Sequence, residues 1–512
     1  MNDYTFDNDG HRLMSVKDNN NNNNNNNVLS TIIDISLKCR NRLIGITDEK
    51  NEQTTTMILE NIKDDQQFNI IAILELLNQE LLPTLEHQTN TTTTTSTIKL
   101  DSRIDKLYRD ACIHLQRLMW DYLHIGNWKD VPIMYRDLYS YSSIILTLID
   151  VYNNNQNNNN QNNNNQYNNN IDNQKKEIVK SLDYALLVGG RLFHQYIIDL
   201  IDLISSSSSL SSSSSSNNIN INNNNIDNNN NGVEFKLEKE MVKEKMVERI
   251  RLPSLQSFKK DFMELDRPVV ITDAMTAWPA CTTRHWSDLD YLKKVAGFRT
   301  VPIEIGRTYL DQDWSQKLIT LDQFINQYIL NQNSDNNSKS IGYLAQTQLF
   351  DQIPILQNDI IIPDYCTLST NNNNNTNNNS NNVNNNNNIE EQIFMVNAWF
   401  GPKYTTTPLH YDPYHNLLCQ VVGRKFIRLY GHDQSDKLYA HDPVSGQESS
   451  MLKNTSRVDI ESPDFDKYPL FKQASTYLDI ILEEGEMLYI PPRCWHFVKS
   501  LSTSFSVSFW WN

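Results

Sequence analysis

Cysteine and long apolar runs are scarce in this chain. Its 512 residues include six cysteines, and none of them forms a Cys-x-x-Cys pair. Scattered cysteines indicate reduced thiols in an intracellular protein rather than a disulfide framework. The acidic N-terminus has no apolar core that would predict a signal peptide, and no run of 18 apolar residues predicts a transmembrane helix. We therefore expect a soluble protein that is not secreted and that lies in the nucleus, the cytoplasm or both.

Positive charge is also in short supply. The chain has 45 Lys and Arg against 61 Asp and Glu, which gives a formal net charge of −16. A globally acidic protein is a poor non-specific binder of nucleic acid or of an anionic membrane. We therefore expect no direct sequence-specific nucleic-acid binding and no membrane partner. A basic protein rich in Lys or Arg is the better match as a partner.

Several long stretches lack the apolar residues that a folded core requires. Asparagine, serine or threonine dominates these tracts, and segments of such composition are predicted to be disordered. They divide the chain into a disordered start, a helical domain, a linker and a C-terminal domain with one disordered insert. The predicted boundaries are 1–27, 28–204, 205–232 and 233–512, with the insert at 371–388.

Helical periodicity dominates residues 28–204. Between Ile104 and Tyr122 the apolar residues recur at steps of three and four, which predicts an amphipathic helix. Comparable patterns occur at 28–43, 68–82, 131–152 and 178–204. No motif in this region carries chemistry, so we interpret it as a scaffold or partner-docking domain.

A charged segment, 234–251, predicts one more helix, and after it the residue pattern changes from helical to β-type. Short β-type runs separated by turn residues predict a sandwich or barrel. In the last run, alternation places aromatic and aliphatic residues on one face and serines on the other. That pattern fits a strand lining a ligand cavity, although an ordinary half-exposed strand would look the same. The runs are 268–272, 301–305, 343–346, 393–400, 417–422, 425–430, 487–490, 497–499 and 505–511.

Three residues of this β-rich region have the pattern of a metal site. His410 and Asp412 are two residues apart, so on a strand both side chains point the same way. His496 follows a predicted strand and a Pro-Pro turn, and it supplies a third ligand. Two histidines and one carboxylate form the facial triad of non-haem Fe(II) oxygenases, which leaves coordination positions open. His415, His432 and His441 lack this spacing and are expected in turns, polar networks or surface positions.

Lys425 begins a predicted strand after a tight turn, and alternating apolar residues follow it. This pattern favours an inward-pointing side chain, and a buried ammonium needs an anionic partner. A solvated lysine at a sheet edge fits the same residues, so the sequence alone leaves both positions open.

Six motifs in chain order resemble those of the JmjC-domain-only hydroxylases, a family of Fe(II)- and 2-oxoglutarate-dependent oxygenases. The resemblance covers residues 250–512, and a helical region ahead of the catalytic domain also fits the family. It implies an all-β catalytic domain, a double-stranded β-helix of the jelly-roll or cupin type with flanking helices, after an α-helical domain. The motifs are Arg267–Pro279, Tyr343–Pro354, Asn397–Pro402, Thr407–Asn416, Gly423–Lys425 and Phe505–Trp511.

The resemblance also implies roles for individual residues. His410, Asp412 and His496 would hold Fe(II), with 2-oxoglutarate and O2 as co-substrates. Residues that would bind 2-oxoglutarate are Lys425, as partner of its far carboxylate, with Tyr343, Thr407 and Asn416 as hydrogen-bonding groups. Thr407 stands where a serine is more usual in the family. Residues that would contact the substrate are Glu304, Gln346 and Trp399.

Three functional hypotheses follow from this pattern. The first is a protein hydroxylase acting on arginine, because a carboxylate at Glu304 pairs with a guanidinium and Trp399 can stack on it. The second is a histone lysine demethylase using the same site. The third is a non-catalytic JmjC-like interaction module, and a cupin site holding zinc or manganese is a related alternative. A histone or another chromatin- or ribosome-associated protein is the expected substrate.

Overall fold

The computed structural model divides the chain into two compact units, residues 1–210 and 211–512. The predicted disordered start, linker and insert lie outside the described residues, apart from 5–6, 12–13 and 205–206. The structure describes residues 5–6, 12–13, 31–40, 73–74, 76–82, 102–123, 131–158, 165–206, 235–311, 313–330, 341–369, 393–441 and 452–512.

The first unit is helical, as its periodicity predicts. A short antiparallel pair, β1 and β2, precedes the helices, and α2, α3, α4 and α5 pack successively against one another. Within the described residues, no helix is both long enough and apolar enough to cross a membrane. The elements are β1 (Thr5–Phe6), β2 (Arg12–Leu13), α1 (31–40), a π-helical segment (Leu76–Leu81), α2 (Ser102–Leu123), α3 (Ile133–Asn158), α4 (Asn165–Val188), a 3₁₀ turn (Arg191–Phe193) and α5 (His194–Ser206).

The helical stretch predicted over 178–204 is two helices, because Gly189 and Gly190 interrupt it. A Cβ atom on Gly190 would lie 1.8 Å from Asp137 Oδ1, so any other residue here requires the Asp137 side chain to move. The same Asp137 carboxylate accepts a hydrogen bond from the Leu192 amide at 3.3 Å. A side chain of α3 therefore fixes the point at which the chain turns.

The second unit contains two antiparallel-rich sheets. Strands β3-β4-β13-β10-β15-β8-β7-β5-β6 form a nine-stranded sheet, and β12-β11-β14-β9 form a four-stranded sheet. The strands are β3 (Arg249–Arg251), β4 (Val269–Thr272), β5 (Thr300–Ile305), β6 (Ser315–Thr320), β7 (Gly342–Thr347), β8 (Ile393–Gly401), β9 (Thr406–Tyr411), β10 (His415–Val422), β11 (Lys425–Tyr430), β12 (Leu478–Leu482), β13 (Met487–Ile490), β14 (Trp495–Ser500) and β15 (Ser504–Trp511).

Short helices flank these sheets. One face of the large sheet packs against these helices through a core that includes Trp278, Trp286 and Phe505. The helical segments are α6 (Lys236–Lys239), α7 (Leu255–Phe258) continued by a π-helix (Lys259–Met263), α8 (Leu289–Ala296), α9 (Leu321–Phe324) continued by a π-helix (Ile325–Leu330) and α10 (Leu349–Gln352), with 3₁₀ turns at Lys243–Lys245, Pro279–Cys281, Pro354–Asp359, Asp364–Thr367, His432–Lys437 and Pro469–Gln473.

A smaller core lies between the two sheets. It joins Leu418 and Leu488 of the large sheet to Ile427, Ile480 and other residues of the small one. Each of these apolar side chains is at least nine-tenths buried, so the two sheets hold together by removing apolar surface from water. This jelly-roll arrangement after a helical unit confirms the predicted fold class.

The single helix predicted over 234–251 is wrong. Its described residues form a one-turn helix, a 3₁₀ turn and strand β3, and this strap packs against the rest of the second unit. Lys245 Nζ donates to the Ser475 carbonyl oxygen at 2.8 Å, and Met246 pairs with Asp479. Tertiary partners therefore override the helical preference of this charged sequence.

The last strand, β15, is central in its sheet and buried on both faces. The half-exposed alternative is therefore wrong for this strand. Its aromatic and aliphatic side chains join the core under the large sheet, whereas its serines face the space between the sheets. Ser506 Oγ donates to Gln420 Oε1 at 2.8 Å, and Ser508 Oγ accepts from Trp399 Nε1 at 2.9 Å.

Candidate active site

Strand pairing brings the three predicted metal-binding side chains together. His410 on β9 lies directly opposite His496 on β14, and Asp412 follows one residue after β9 ends. Asp412 Oδ2 is 3.8 Å from His410 Nε2 and 3.5 Å from His496 Nε2. In the described part of the chain, these residues form the one cluster of three His, Cys, Asp or Glu side chains with metal-ligand spacing.

The tautomer of both histidines is fixed by backbone carbonyls. His410 Nδ1 donates to the Pro408 carbonyl oxygen at 2.8 Å, and His496 Nδ1 donates to that of Cys494 at 3.0 Å. Each Nε2 therefore keeps its lone pair, and both nitrogens face Asp412. Such a second hydrogen bond is the usual way in which a metal-binding histidine is oriented. Burial, and to a lesser degree the proximity of the second imidazole, lowers the pKa of His496 to about 4, so its ring is neutral near pH 7.

The chemistry of the donor set fits a divalent metal. Asp412 Oδ2 is buried and has no hydrogen-bond partner among the described residues, although a buried carboxylate oxygen needs one. A cation between this oxygen and the two Nε2 atoms would compensate for its burial. The Asp412 backbone is held from behind, because the Arg493 amide donates to its carbonyl oxygen at 2.6 Å.

A cavity adjoins the triad. Its lining combines polar side chains with aliphatic and aromatic ones. The lining residues are Tyr343, Trp399, Thr407, His410, Asp412, Asn416, Leu418, Lys425, Ile490, His496, Val498, Ser508 and Trp510.

Lys425 is the cation of this cavity. It is only 1% exposed, so its side chain points inward. The alternative of a solvated lysine at a sheet edge is therefore wrong. Its Nζ donates to Tyr343 Oη at 3.4 Å. Burial lowers the pKa of Lys425 to about 7, and a bound carboxylate would raise it again.

Tyr343, Thr407 and Asn416 reach the same cavity from three different strands. Burial raises the pKa of Tyr343, and a hydrogen bond from Thr407 partly opposes that shift, so the phenol stays protonated. Asn416 Oδ1 is buried without a partner among the described residues. The structure therefore brings all four residues expected to bind 2-oxoglutarate into one cavity with the triad.

Glu304 lies beside this cavity rather than in its lining. On β5 it pairs directly with Tyr343 of β7, so the two side chains share one face of the sheet. Trp314 Nε1 donates to Glu304 Oε2 at 3.3 Å. Burial raises the pKa of the Glu304 carboxyl despite this hydrogen bond. Tyr309 lies nearby; burial raises its pKa to about 12, and the charges of Asp412 and Glu304 add to the shift.

Trp399 and Gln346 differ in their surroundings. Trp399 lines the cavity, is 9% exposed and lies with its ring centroid 6.2 Å from that of Tyr343. Gln346 is exposed, with φ +44°, at an irregularity between β7 and β8. The structure does not bring the Gln346 side chain into the cavity lining. Bulges of this kind re-aim side chains next to active sites.

The other histidines have the non-ligand positions that their spacing predicts. His415 is buried, and its Nδ1 lies 2.8 Å from Tyr489 Oη. His432 is exposed beside Ser435. Sequence reasoning missed Tyr309, Trp314 and Trp510. Trp510 continues the two-residue period of the β15 serines and so lies on their face, which was an available signal. The position of Tyr309, in contrast, depends on a loop after β5.

Comparison with known proteins agrees with this geometry. The profile of the cupin-like domain family matches residues 255–512. "JmjC domain-containing protein D" of Dictyostelium discoideum is 48% identical over 77% of this chain and 84% of its own length. "Lysine-specific demethylase 8" of Danio rerio is 38% identical over 77% of this chain and 85% of its own. "Jumonji C domain-containing protein 5" of Drosophila melanogaster is 40% identical over 52% and 60%, respectively.

The chain belongs to the JmjC family of cupin-like proteins. As a JmjC protein it is a dioxygenase that depends on Fe(II) and 2-oxoglutarate. The expectation of an enzyme with these cofactors is confirmed.

Proposed function

We propose that this JmjC enzyme hydroxylates an arginine side chain of a protein substrate. The observation that carries the proposal is Glu304, a largely buried carboxylate one strand away from the co-substrate cavity. Its hydrogen-bond partner in the described structure is Trp314, a neutral donor. A guanidinium would supply the positive charge that this desolvated carboxylate favours, in a planar fork geometry.

In this proposal the triad holds the metal. His410 and His496 contribute Nε2, and Asp412 contributes Oδ2. The backbone carbonyls of Pro408 and Cys494 hold the two rings in place. When bound, iron with 2-oxoglutarate and dioxygen supplies the oxidant that inserts oxygen into a C–H bond and releases succinate and carbon dioxide.

The protein would bind the two carboxylates of 2-oxoglutarate at opposite ends of the cavity. Lys425 and Tyr343 meet the far carboxylate, since a buried ammonium without an anion is unfavourable. Thr407 adds a hydroxyl at the same end. Asn416 lies on the strand next to β15 and serves the other end. Leu418, Ile490 and Val498 exclude water from the space between them.

Substrate orientation is the task of residues around Glu304. The Glu304 carboxylate would hold the guanidinium, with Trp399 stacked beside the substrate side chain and Gln346 at the rim. Burial is the main cause of the raised pKa of Tyr309, and smaller contributions from Asp412 and Glu304 indicate that both carboxylates are near it. In this proposal an arginine that reaches Glu304 passes the metal with its aliphatic carbons.

Histone lysine demethylation is the second candidate, and the names of relatives favour it. Two proteins that match 77% of this chain, from Danio rerio and Arabidopsis thaliana, are named lysine-specific demethylases. Hydroxylation of an N-methyl group at the same metal would release formaldehyde. A methyl-ammonium site favours several aromatic faces around the cation, whereas the charged residue here is a carboxylate.

The expected partner is a basic protein, such as a histone or another chromatin- or ribosome-associated protein, because the chain carries a net charge of −16. A nuclear or cytoplasmic location agrees with such a substrate. The metal content of the purified protein tests the iron assignment against zinc and manganese.

The test uses the full chain with Fe(II), ascorbate and 2-oxoglutarate on matched arginine and methyl-lysine peptides, read by mass spectrometry. The proposal predicts a gain of one oxygen on arginine. Loss of a methyl group with formaldehyde release would replace it with the demethylase function. Failure to convert any peptide or to form succinate would contradict both.

A further inference from the structure

The loop between β5 and β6 carries two aromatic side chains that lie beside Glu304. Its described residues are 306–311 and 313–314. Trp314, at the end of the loop, donates to Glu304 Oε2 at 3.3 Å. Tyr309, in its middle, is buried and lies near the charges of both Asp412 and Glu304. The position of this loop therefore sets the surroundings of Glu304 on the side of the metal ligands.

The described backbone hydrogen bonds of the loop are mostly local. The Asp311 amide donates to the Thr308 carbonyl oxygen at 3.2 Å, and the Trp314 amide donates to that of Asp311 at 3.3 Å. At the start of the loop, the Gly306 amide donates to the Ile341 carbonyl oxygen at 3.0 Å. Loops held by few long-range bonds are among the parts of a protein that open most easily. Side-chain contacts to the rest of the unit therefore decide where this loop lies.

A second segment, residues 452–461, runs along β9 on the metal side of the site. The Ser456 amide donates to the Leu409 carbonyl oxygen at 2.8 Å, and the Tyr411 amide donates to that of Asn454 at 3.0 Å. Strand β9 is the last strand of the small sheet, so this flanking segment lies along its outer edge.

Two side-chain contacts join the loop to the flanking segment. Arg307 Nη2 donates to Asp459 Oδ2 at 2.6 Å, and Tyr309 Oη lies 3.4 Å from Thr455 Oγ1. The backbone of Thr455 pairs with that of His410. The loop next to Glu304 is thus connected to the strand that carries a metal ligand.

The Arg307 pair belongs to a larger group of charges. Glu461 Oε2 is buried, has no hydrogen-bond partner among the described residues and lies 3.7 Å from Arg307 Nη2. The other carboxylate oxygen of Glu461 accepts from Lys499 Nζ on β14, the strand that carries His496. Several charges in a network contribute more than an isolated surface pair. Arg307 therefore connects the loop both to the flanking segment and, through Glu461, to β14.

We propose that Arg307 is a positioning residue that clasps the β5–β6 loop to the flanking segment. Its pair with Asp459 keeps Tyr309 and Trp314 beside Glu304, and so orders the place where the substrate side chain binds. The Arg307 side chain is half exposed and does not line the cavity, so it acts through the loop. The part that concerns the substrate rests on the proposed function.

The experiment replaces Arg307 with glutamine in the full chain, which removes the charge and keeps a polar side chain. Hydrogen exchange of the ligand-free protein, read by mass spectrometry, measures the opening of the loop. Steady-state kinetics measure KM and kcat for a peptide that the unsubstituted enzyme converts. We expect exchange over 306–314 to be roughly three- to fivefold faster and KM to be higher by a similar factor. Both kcat and the decarboxylation of 2-oxoglutarate without peptide should be unchanged.

Asp459→Asn and the double variant test whether the two residues act as one pair. If they do, the double variant should raise KM no further than Arg307→Gln alone. Arg307→Lys keeps the charge without the planar fork and should restore part of the affinity for the peptide. A double variant whose KM rises by the product of the two single effects would contradict the clasp.

Arg267→Gln is the matched control. Arg267 pairs with Glu248, and these side chains are 52% and 47% exposed, against 52% and 41% for Arg307 and Asp459. The control pair lies outside the loop and the flanking segment. Its loss should change neither the exchange over 306–314 nor the KM. An equal rise of KM in the control would mean that the effect of Arg307→Gln is one of net charge, and would overturn the positioning role.

Unchanged exchange over 306–314 in Arg307→Gln would overturn the clasp itself. Faster exchange with an unchanged KM would support the clasp but overturn the positioning of substrate. Failure of the unsubstituted enzyme to convert any peptide would instead contradict the proposed function. The exchange measurement would still decide the clasp, since it needs neither substrate nor cofactor.

Discussion

Buried polar side chains bond to nearby backbone in the helical unit, whereas some of those in the oxygenase unit have no described partner. In the helical unit, Ser142 and Ser143 donate to the Tyr139 carbonyl oxygen at 2.8 and 3.0 Å, and Thr147 donates to that of Ser143 at 2.9 Å. In the oxygenase unit, buried atoms of Asp412 and Asn416 have no described partner. Hydroxyls that bond to a backbone carbonyl one helical turn away stabilise the fold. Buried polar atoms without a protein partner indicate where a ligand binds.

Replacing Asp412 should produce the largest effect. Asp412→Ala removes the unpartnered carboxylate, so we expect the loss of bound iron and of all measurable turnover. The free energy of unfolding should stay the same or rise, because no protein hydrogen bond to Oδ2 is lost. Metal analysis, succinate formation and chemical denaturation test this together. Retention of turnover would mean that the metal is held elsewhere.

Lys425→Met should weaken 2-oxoglutarate binding by roughly 100-fold, as expected when one partner of a buried charge pair is removed. The ligand-free variant should not be less stable, since the buried ammonium has no anionic partner until the co-substrate binds. Calorimetric titration with Fe(II) in the absence of oxygen measures the affinity. A change below about threefold would place the co-substrate carboxylate away from Lys425.

The affinity for 2-oxoglutarate should fall as the pH rises above about 7. Burial lowers the pKa of Lys425 to about 7 in the ligand-free protein, and a carboxylate binds the protonated form. Each pH unit above that value therefore reduces the affinity by up to about tenfold. Titrations from pH 7 to 9 measure the slope, and Lys425→Met should abolish it. An equal slope in that variant would assign the pH dependence to another group.

Glu304→Gln should raise the KM for an arginine peptide by roughly tenfold, because a charge-assisted pair becomes a neutral one. Decarboxylation of 2-oxoglutarate without peptide should be unchanged. Glu264→Gln, at an exposed carboxylate, is the matched control and should have no effect. An unchanged KM in Glu304→Gln would remove the main support for arginine.

The smallest effect is expected in the helical unit. Thr147→Val keeps the shape of the side chain and removes the hydroxyl that donates to the Ser143 carbonyl oxygen. That carbonyl oxygen belongs to the helix backbone. The free energy of unfolding should fall by about 0.5–1.5 kcal/mol, while kcat and KM stay unchanged. Denaturation and steady-state kinetics measure both. A loss of turnover would show that this unit contributes to catalysis.

Much of the oxygenase unit could be predicted from local patterns. Strands β4, β5, β7, β8, β10, β11, β13, β14 and β15 lie where alternation and turn residues place them. The triad was predictable because a spacing of two residues on a strand and one Pro-Pro turn fix its geometry. Strand β6 was missed because its SQKLIT sequence is mostly exposed and weakly apolar.

The features that could not be predicted from the sequence depend on contacts between residues far apart in the chain. The strap at 235–251 is not one helix, because Asp479 and Ser475, more than 200 residues later, bind its backbone and Lys245. Pairing of β5 with β7 places Glu304 beside Tyr343, and no local pattern encodes that register. Gln346 faces outward because of an irregularity between β7 and β8.

Calorimetry of the full chain tests the central claim most directly. Fe(II) and 2-oxoglutarate, added without oxygen, should raise the unfolding temperature of the oxygenase unit and leave that of the helical unit unchanged. At about 100 times the dissociation constant, the ligand should stabilise by roughly 2.7 kcal/mol, and Asp412→Ala should abolish the shift. Equal shifts in both proteins, or none in the unsubstituted chain, would contradict the claim that the unsatisfied groups form the cofactor site.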